Sequence, residues 1–251
     1  MSFAVAAEAY DRFMGRYSTP LAPRFLDFAK VDRGPVLDVG CGPGALTAAL
    51  VERFGADAVA AADPSEPFVA AARERHPGVR VELASAEAMP FDDGQFAASL
   101  AQLVVHFMSD PVAGLREMTR VTRESGVVAA CVWDFGGGEG PLGVFWEAAR
   151  RSDPDLDDES DRAGTREGHL SELFGAAGLR DVVAGAVSIA VEHESFEKWW
   201  EPFTLGVGPA GAHVAGLDDQ NRAALREQCR SLLPQAPFTI HARAWAARGV
   251  V

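Results

Sequence analysis

The chain has 251 residues, of which 48% are hydrophobic, and its formal net charge is −13 at pH 7. This length allows one large domain with a sizeable core, and the acidic charge excludes nucleic acid as an expected partner because a duplex would be repelled. Three widely spaced cysteines predict neither a disulfide framework nor a zinc site, the first residues do not read as a signal peptide, and no apolar run approaches the roughly 18 residues of a membrane span, so we expect a cytoplasmic protein.

The N-terminal region predicts two helices. Tyr10, Phe13, Met14 and Tyr17 recur at positions i, i+3, i+4 and i+7, which is the spacing of one helix face. A second helix is predicted after Pro20. We expect residues 1–30 to form a helical lid.

Five short strands follow, predicted at residues 35–39, 58–62, 79–83, 96–105 and 127–133. Helices are predicted between them, at 44–54, from 65 to about 75, and after Asp110, a good N-cap residue. Strands that alternate with helices in this way are typical of a doubly wound, mostly parallel α/β sheet.

Beyond residue 134 the pattern changes. The acidic run 152–161 is predicted to be a solvated loop, and two more strands are predicted at 182–191 and 238–246, with helices between them. We interpret residues 1–251 as a single domain, with a cofactor-binding core at 31–134 and a C-terminal part at 135–251. Its helices, at about 141–177 and 194–233, are expected to cap the substrate, and those after residue 194 form a helical insertion before the last strand.

The stretch VLDVGCGPGAL, residues 36–46, contains the spacing of a dinucleotide fingerprint in Gly40, Gly42 and Ala45. Asp63 follows about 20 residues later, where an acid can bind a ribose diol. Asp38 helps to distinguish two cofactors. A carboxylate beside the turn repels the pyrophosphate of NAD, whereas it favours the ammonium and sulfonium of S-adenosylmethionine. Asp38 bracing the loop, and Asp63 as a solvated acid at a helix start, are the structural alternatives.

Four segments resemble the successive motifs of class I S-adenosylmethionine-dependent methyltransferases, in particular the group that includes the ubiquinone/menaquinone C-methyltransferases. They are LDVGCGPG at 37–44, AADPS at 61–65, ASAEAMPF at 84–91, and FAASLAQLVVHFMSDPVAGLREMTRVTRESGVV at 96–128. The resemblance implies a Rossmann-like, seven-stranded sheet whose last strand is antiparallel. It also implies S-adenosylmethionine as cofactor and S-adenosylhomocysteine as product.

The same resemblance implies the cofactor-binding positions. Asp63 would hold the ribose hydroxyls, and Ser85 and Ala86 would lie beside the adenine. Many relatives have an acid at the position of Ser85, so the adenine contacts are expected to depend more on the Ala86 backbone. The expected cofactor-binding residues of this core are Asp38, Gly40, Cys41, Gly42, Gly44, Asp63, Pro64, Ser85, Ala86, Glu87 and Gln102.

The N-terminal lid supplies three further candidates. Arg16 is predicted to pair with the methionine carboxylate, and Tyr17 to cover the sulfonium, because aromatic faces attract cations. Tyr10 is expected in the same lid. The alternative is that this stripe is a helix face packed on the core.

For the acceptor, His106 is a candidate general base with a pKa suited to neutral pH, and a structural histidine is its alternative. Aromatic side chains outside the cofactor half are candidates either for an apolar acceptor pocket or for the core; they are Trp133, Phe145, Trp146, Trp199 and Trp200. His169, His193, His213 and His241 lack metal-ligand spacing, so no metal site is expected.

The sequence therefore predicts methyl transfer from S-adenosylmethionine to a small, neutral, aromatic or lipid-like acceptor. Two alternatives stay open. A non-catalytic S-adenosylmethionine-binding protein would keep the same motifs with a closed acceptor pocket. An NAD(P)-dependent oxidoreductase is disfavoured by Asp38 and by the absence of a Tyr-x-x-x-Lys pair.

Overall fold

A seven-stranded sheet forms the centre of the molecule, seen here in a computed structural model that describes residues 7–154, 156 and 158–251. Its strands are β1 (Val36–Val39), β2 (Val59–Asp63), β3 (Arg80–Leu83), β4 (Phe96–Gln102), β5 (Thr122–Trp133), β6 (Arg180–His193) and β7 (Phe238–Val250). The strand order is β3-β2-β1-β4-β5-β7-β6.

Helices cover both faces of this sheet. They are α1 (Ala7–Tyr10), α2 (Arg16–Ala29), α3 (Ala45–Phe54), α4 (Glu66–Arg75), α5 (Pro111–Val121), α6 (Gly143–Ser152), α7 (His169–Ala176), α8 (Phe196–Trp200), α9 (Gly208–Gly216) and α10 (Asp219–Leu232). The last three lie between β6 and β7 in the chain, which confirms the predicted helical insertion before the last strand.

The direction of the strands also agrees with the prediction. β1 to β5 are parallel where they pair, and β7 runs antiparallel to both β5 and β6. Neighbouring residues of β1 face opposite sides. Val36 packs with α2 and α3, while Leu37 packs with α5 on the other face. The predicted α/β fold, doubly wound and mostly parallel, is confirmed.

The strand order reverses between β1 and β4, which pair with each other at the centre of the sheet. In open α/β sheets, ligands bind at this reversal, outside the carboxyl ends of the strands. This edge brings together residues from the ends of β1, β2 and β4, namely Asp38, Asp63 and Gln102.

The N-terminal region differs from the prediction of two separate helices. α1 continues through a π-helical turn (Asp11–Gly15) into α2, and Pro20 lies inside α2. A proline within a helix costs about 3 kcal/mol, but α2 buries Tyr17, Leu21 and Phe25 completely. Each such side chain contributes about 1.5–3 kcal/mol, so the packing of α2 offsets the cost of its two prolines, Pro20 and Pro23. Residues 1–6 of the predicted lid lie outside the described residues.

Three cysteines are free and buried, one in each part of the fold: Cys41 after β1, Cys131 in β5 and Cys229 in α10. Burial raises the pKa of all three thiols, that of Cys229 to about 12. They are therefore protonated at neutral pH.

Candidate functional site

The turn after β1 presents bare backbone at the carboxyl edge of the sheet. The N–H groups of Gly40 and Cys41 both donate to the Ala62 carbonyl, at 2.7 and 3.0 Å, which fixes the turn to β2. Gly42 has a φ of +53°, and a Cβ there would meet no atom within 4 Å, whereas one at Gly40 would lie 2.5 Å from Val104. The space beside the Gly42 backbone is therefore open, and a ligand can approach the backbone there.

Asp38, the residue before the last in β1, is only 1% exposed. Its Oδ2 accepts the Thr47 hydroxyl at 2.6 Å, which ties it to the first turn of α3. Burial raises the pKa of Asp38 to about 7; the Thr47 hydrogen bond opposes this shift and the nearby Asp63 adds to it. Asp38 both braces the turn and presents a carboxyl that a bound cation would hold ionised.

Asp63 ends β2 and joins two segments of backbone. Its Oδ2 accepts the N–H of Gly42, and its Oδ1 accepts the N–H of Ser65, both at 2.8 Å. Burial raises its pKa, and these two hydrogen bonds oppose the shift. Each carboxylate oxygen has further lone pairs, so the side chain retains acceptor capacity for ribose hydroxyls.

The groove beside Asp38 contains two buried polar atoms without a hydrogen-bond partner among the described residues, Ser18 Oγ and Gln102 Oε1. The Gln102 amide donates to the Ser18 carbonyl at 3.0 Å, so the two side chains lie together. With Asp38 they offer a carboxylate, an amide oxygen and a hydroxyl, the acceptors that an ammonium group needs. No lysine or arginine is among the described residues that line the groove, so this set of acceptors fits the methionine end of S-adenosylmethionine better than a pyrophosphate. Ser18 was not predicted.

A second cavity adjoins this groove, and Tyr10 lines both. It has a volume of about 30 Å³, room for about two water molecules. The walls are mainly apolar and are formed by Tyr10, Phe13, Met14, Leu103, His106, Phe107, Trp133, Phe135, Leu142, Glu159, Val207, Gly208 and Pro209.

His106 is 7% exposed, and its Nδ1 has no hydrogen-bond partner in the described part of the chain. Burial, with Arg162 nearby, lowers its pKa to about 3. The prediction of a pKa suited to neutral pH is therefore wrong. His106 is a neutral hydrogen-bonding group rather than an efficient base.

Residues 37–130 match the family described as a methyltransferase domain. Residues 37–130 thus form a methyltransferase domain. An uncharacterized methyltransferase of Mycobacterium bovis is 38% identical over 137 residues, which are 53% of this chain and 52% of that protein. The malonyl-[acyl-carrier protein] O-methyltransferase of Salmonella typhimurium is 40% identical over 94 residues, 38% of this chain and 37% of the relative. The chain thus spans about half the length, or less, of these curated relatives.

Solved structures share the fold of the methyltransferase domain. A methyltransferase structure from Bacillus halodurans has a TM-score of 0.57 at 16% identity, covering 90% of this chain and 96% of that one. The [4+2]-cyclase SpnF has a TM-score of 0.56 at 20% identity, covering 92% and 81%. At these identities the likeness concerns the fold alone. The family implies use of S-adenosylmethionine.

The expected adenine end of the methyltransferase domain lies after β3. The Ala84 N–H donates to the Asp63 carbonyl at 3.1 Å, which brings this loop next to the end of β2. Ser85 is half-buried, Ala86 is buried and Pro64 is exposed. Glu87 is half-buried, and its Oε1 accepts the N–H of Ser109 at 2.8 Å, which supports the loop before α5.

Two of the lid predictions are corrected by the contacts. The Arg16 guanidinium donates to the carbonyls of Lys198 and Trp199, each at 3.1 Å, so it fastens α2 to α8 rather than reaching a cofactor carboxylate. The Tyr17 hydroxyl lies 3.0 Å from Nε2 of His193 in the core, away from the groove. Only Tyr10 of the three lines the cofactor groove.

The acidic run 152–161 was predicted to be solvated, but Asp158 and Glu159 are buried; residues 155 and 157 of that run lie outside the described residues. Asp158 pairs with Arg150, and its Oδ1 accepts the Ser160 N–H at 2.8 Å. Glu159 faces the second cavity, and its Oε2 accepts the Trp146 indole N–H at 3.3 Å. Sequence reasoning missed Glu159, because a run of acids gives no signal for which member folds inward.

Of the aromatic candidates, only Trp133 lines the second cavity, and its indole N–H lies 3.3 Å from Met14 Sδ. The other four pack elsewhere, which corrects their assignment to the acceptor pocket. Phe145 stacks on Phe203 with ring centroids 4.6 Å apart. Trp146, Trp199 and Trp200 are buried beside this stack as core of the cap.

Neither a metal site nor a membrane span is evident in the residues that the structure describes. No group of three or more His, Cys, Asp or Glu there could hold a metal ion. In the same residues, no helix is long and apolar enough to cross a membrane.

Proposed function

We propose that this protein transfers a methyl group from S-adenosylmethionine to a small-molecule acceptor and releases S-adenosylhomocysteine. The observation that carries the proposal is the meeting of two sites at Tyr10. A groove with acceptors for a cationic amino acid adjoins an apolar cavity, and Tyr10 lines both. Such an arrangement suits a donor and an acceptor that exchange one small group.

On the donor side, Asp38, Gln102 and Ser18 bind the ammonium group of the methionine end. Asp63 accepts hydrogen bonds from the ribose hydroxyls and also holds the Gly42 N–H, so the ribose contact and the turn geometry depend on the same carboxylate. The Ala86 backbone and Ser85 contact the adenine. The cofactor supplies a methyl group on a sulfonium, which is a good leaving group, so the residues mainly position the reactants and exclude water.

On the acceptor side, the mainly apolar cavity walls favour an uncharged acceptor. The net charge of −13 disfavours nucleic acid and strongly anionic acceptors. The cavity holds about 30 Å³, so an acceptor enters only when wall residues such as Tyr10, Phe13 and Met14 move. Closure over the acceptor would then exclude water from the reaction.

The two alternatives differ from this proposal in what they require of the same residues. An NAD(P) oxidoreductase would place two phosphates beside the carboxylates of Asp11 and Asp38, which line the groove and would repel them. A non-catalytic protein would bind the cofactor without turnover. The cyclase among the structural neighbours illustrates that the fold alone does not determine the reaction.

Titration calorimetry with S-adenosylmethionine, S-adenosylhomocysteine and NAD tests the cofactor. We expect micromolar binding of the two sulfur nucleosides, silence from NAD, and loss of binding in Asp63→Ala. Asp57→Ala, at an exposed aspartate near the start of β2, is the matched control and should bind normally. Binding of NAD alone would favour the oxidoreductase. Transfer of radiolabelled methyl only to strongly anionic acceptors would contradict the neutral acceptor.

A further inference from the structure

The acceptor cavity contains one carboxyl group and one imidazole. Glu159, from the loop after α6, is 2% exposed, and His106, from the turn after β4, is 7% exposed. Both line the cavity whose other walls are mainly apolar. His106 Nδ1 has no hydrogen-bond partner among the described residues. Two polar side chains from separate segments thus converge on a space that adjoins the methyl donor at Tyr10.

Charges around Glu159 come from several elements. Asp158 lies beside it but pairs with Arg150 of α6 and accepts the Ser160 N–H. Trp146, also on α6, donates its indole N–H to Glu159 Oε2. Arg162 contributes positive charge to both Glu159 and His106, and its guanidinium lies 5.5 Å from the Phe107 ring centroid.

Burial raises the pKa of Glu159 to about 7, against the opposing effects of Arg162 and Trp146 and with a further rise from Asp158. The same burial keeps His106 neutral, with a pKa lowered to about 3. A base works best when its pKa is near the working pH. Glu159 meets this condition and His106 does not.

We propose that Glu159 accepts a proton from the hydroxyl group of an uncharged, apolar acceptor, and that His106 orients this acceptor through a hydrogen bond at Nδ1. The inference rests on the proposed function and names its acceptor class, a phenol or an alcohol. Glu159 is then a catalytic residue, and His106 is a binding residue.

The step balances without a further reactant. The acceptor O–H bond breaks and its proton passes to the Glu159 carboxylate. The oxygen forms a bond to the methyl carbon, and the methyl–sulfur bond breaks with its electron pair remaining on sulfur. The products are a methyl ether, S-adenosylhomocysteine and a protonated Glu159, which returns its proton to water.

This chemistry distinguishes the chain from the relative whose name describes O-methylation of a malonyl group. A carboxylate acceptor is already nucleophilic and needs no base. It would also place a second anion against Glu159, which is unfavourable in a buried site. We therefore expect phenols and alcohols to be methylated in preference to carboxylic acids.

The test compares the wild type with Glu159→Gln and with Glu147→Gln, a matched control at an exposed glutamate of α6. Tritiated S-adenosylmethionine is offered with a panel of neutral phenols and aliphatic alcohols and with benzoates and fatty acids. Titration with S-adenosylhomocysteine is run in parallel. It shows whether each variant is folded and competent to bind, independently of turnover.

We expect the wild-type kcat to rise with pH through about 7 and then reach a plateau. In Glu159→Gln, kcat should fall about 100-fold and lose this rise, while the affinity for S-adenosylhomocysteine stays within about twofold. Glu147→Gln should behave as the wild type in both assays.

Two outcomes would overturn the inference while leaving the cofactor assignment intact. One is a Glu159→Gln variant with the wild-type rate and pH profile, and the other is no methylation of any hydroxyl compound, with or without methylation of carboxylic acids. Failure of the wild type to bind S-adenosylhomocysteine would instead overturn the proposed function itself. The two failures are thus separated by the binding measurement.

Discussion

Gly42→Ala adds one methyl group to the turn after β1. With a φ of +53°, an alanine costs about 1–2 kcal/mol because its Cβ crowds the following carbonyl. For a chain of this size we expect Tm to fall by about 2–8 °C. The new Cβ meets no protein atom within 4 Å, so the fold survives. The methyl occupies space that the cofactor needs, and such overpacking costs about 1–3 kcal/mol, a loss of about 5–150-fold in affinity.

Gly178→Ala is the matched control, because Gly178 has a φ of +91°, also has no atom within 4 Å of a Cβ, and lies after α7, outside the residues that line the groove. Differential scanning fluorimetry gives Tm, and titration calorimetry gives the affinity for S-adenosylhomocysteine. We expect a comparable loss of Tm in both variants and weakened binding in Gly42→Ala alone. Wild-type affinity in Gly42→Ala would refute the placement of the cofactor at this turn.

Three further predictions concern charged groups. Asp38→Asn should weaken S-adenosylmethionine binding by about 10–100-fold. Because the pKa of Asp38 is about 7, the affinity of the wild type should rise between pH 6 and 8, and that of the variant should not. Calorimetry at several pH values would contradict this if the affinities of both proteins changed equally with pH. Because the pKa of Glu159 is raised to about 7, the folded state holds its proton more tightly than the unfolded state, and this contribution to the free energy of unfolding is present at low pH and is lost as pH rises to about 7. Between pH 5 and 7.5, the free energy of unfolding measured with urea should therefore fall less in Glu159→Gln than in the wild type. An equal fall in both proteins would contradict the burial of this carboxyl. Arg243→Ala should destabilise the fold by about 1–3 kcal/mol. Asp134 is buried and receives two N–H groups from Arg243, at 2.9 and 2.6 Å, while the Gly137 N–H remains as a partner after the substitution. A free energy of unfolding equal to that of the wild type, measured by urea unfolding, would refute this.

The sheet could be predicted from the sequence because its signals are local. Buried parallel strands are short apolar runs, and caps and glycines mark the helices between them. The N-terminal helix could not be predicted as one piece. Pro20 is a local signal for a helix break, whereas the packing that overrides it involves residues remote in sequence. One example is Tyr17 with His193, 176 positions apart.

Some residues of the candidate site could likewise be predicted from the sequence, and others could not. Asp38, Gly42 and Asp63 belong to motifs at adjacent strand ends, so their convergence could be predicted from the order of the strands. Ser18 contributes through Gln102, 84 positions away, and no pattern links these two residues. Glu159 points inward because its loop folds under α6.

Three regions of the fold each contain one buried cysteine thiol. They are Cys41 in the glycine turn, Cys131 in the sheet and Cys229 in the cap. Only a thiolate reacts quickly with disulfide reagents, and burial keeps all three thiols protonated. Each can therefore be labelled only when its own region opens. The labelling rates of the three cysteines therefore report separately on the opening of three regions. A nucleoside bound at the turn should slow the labelling of Cys41 and leave the labelling rates of the other two cysteines unchanged.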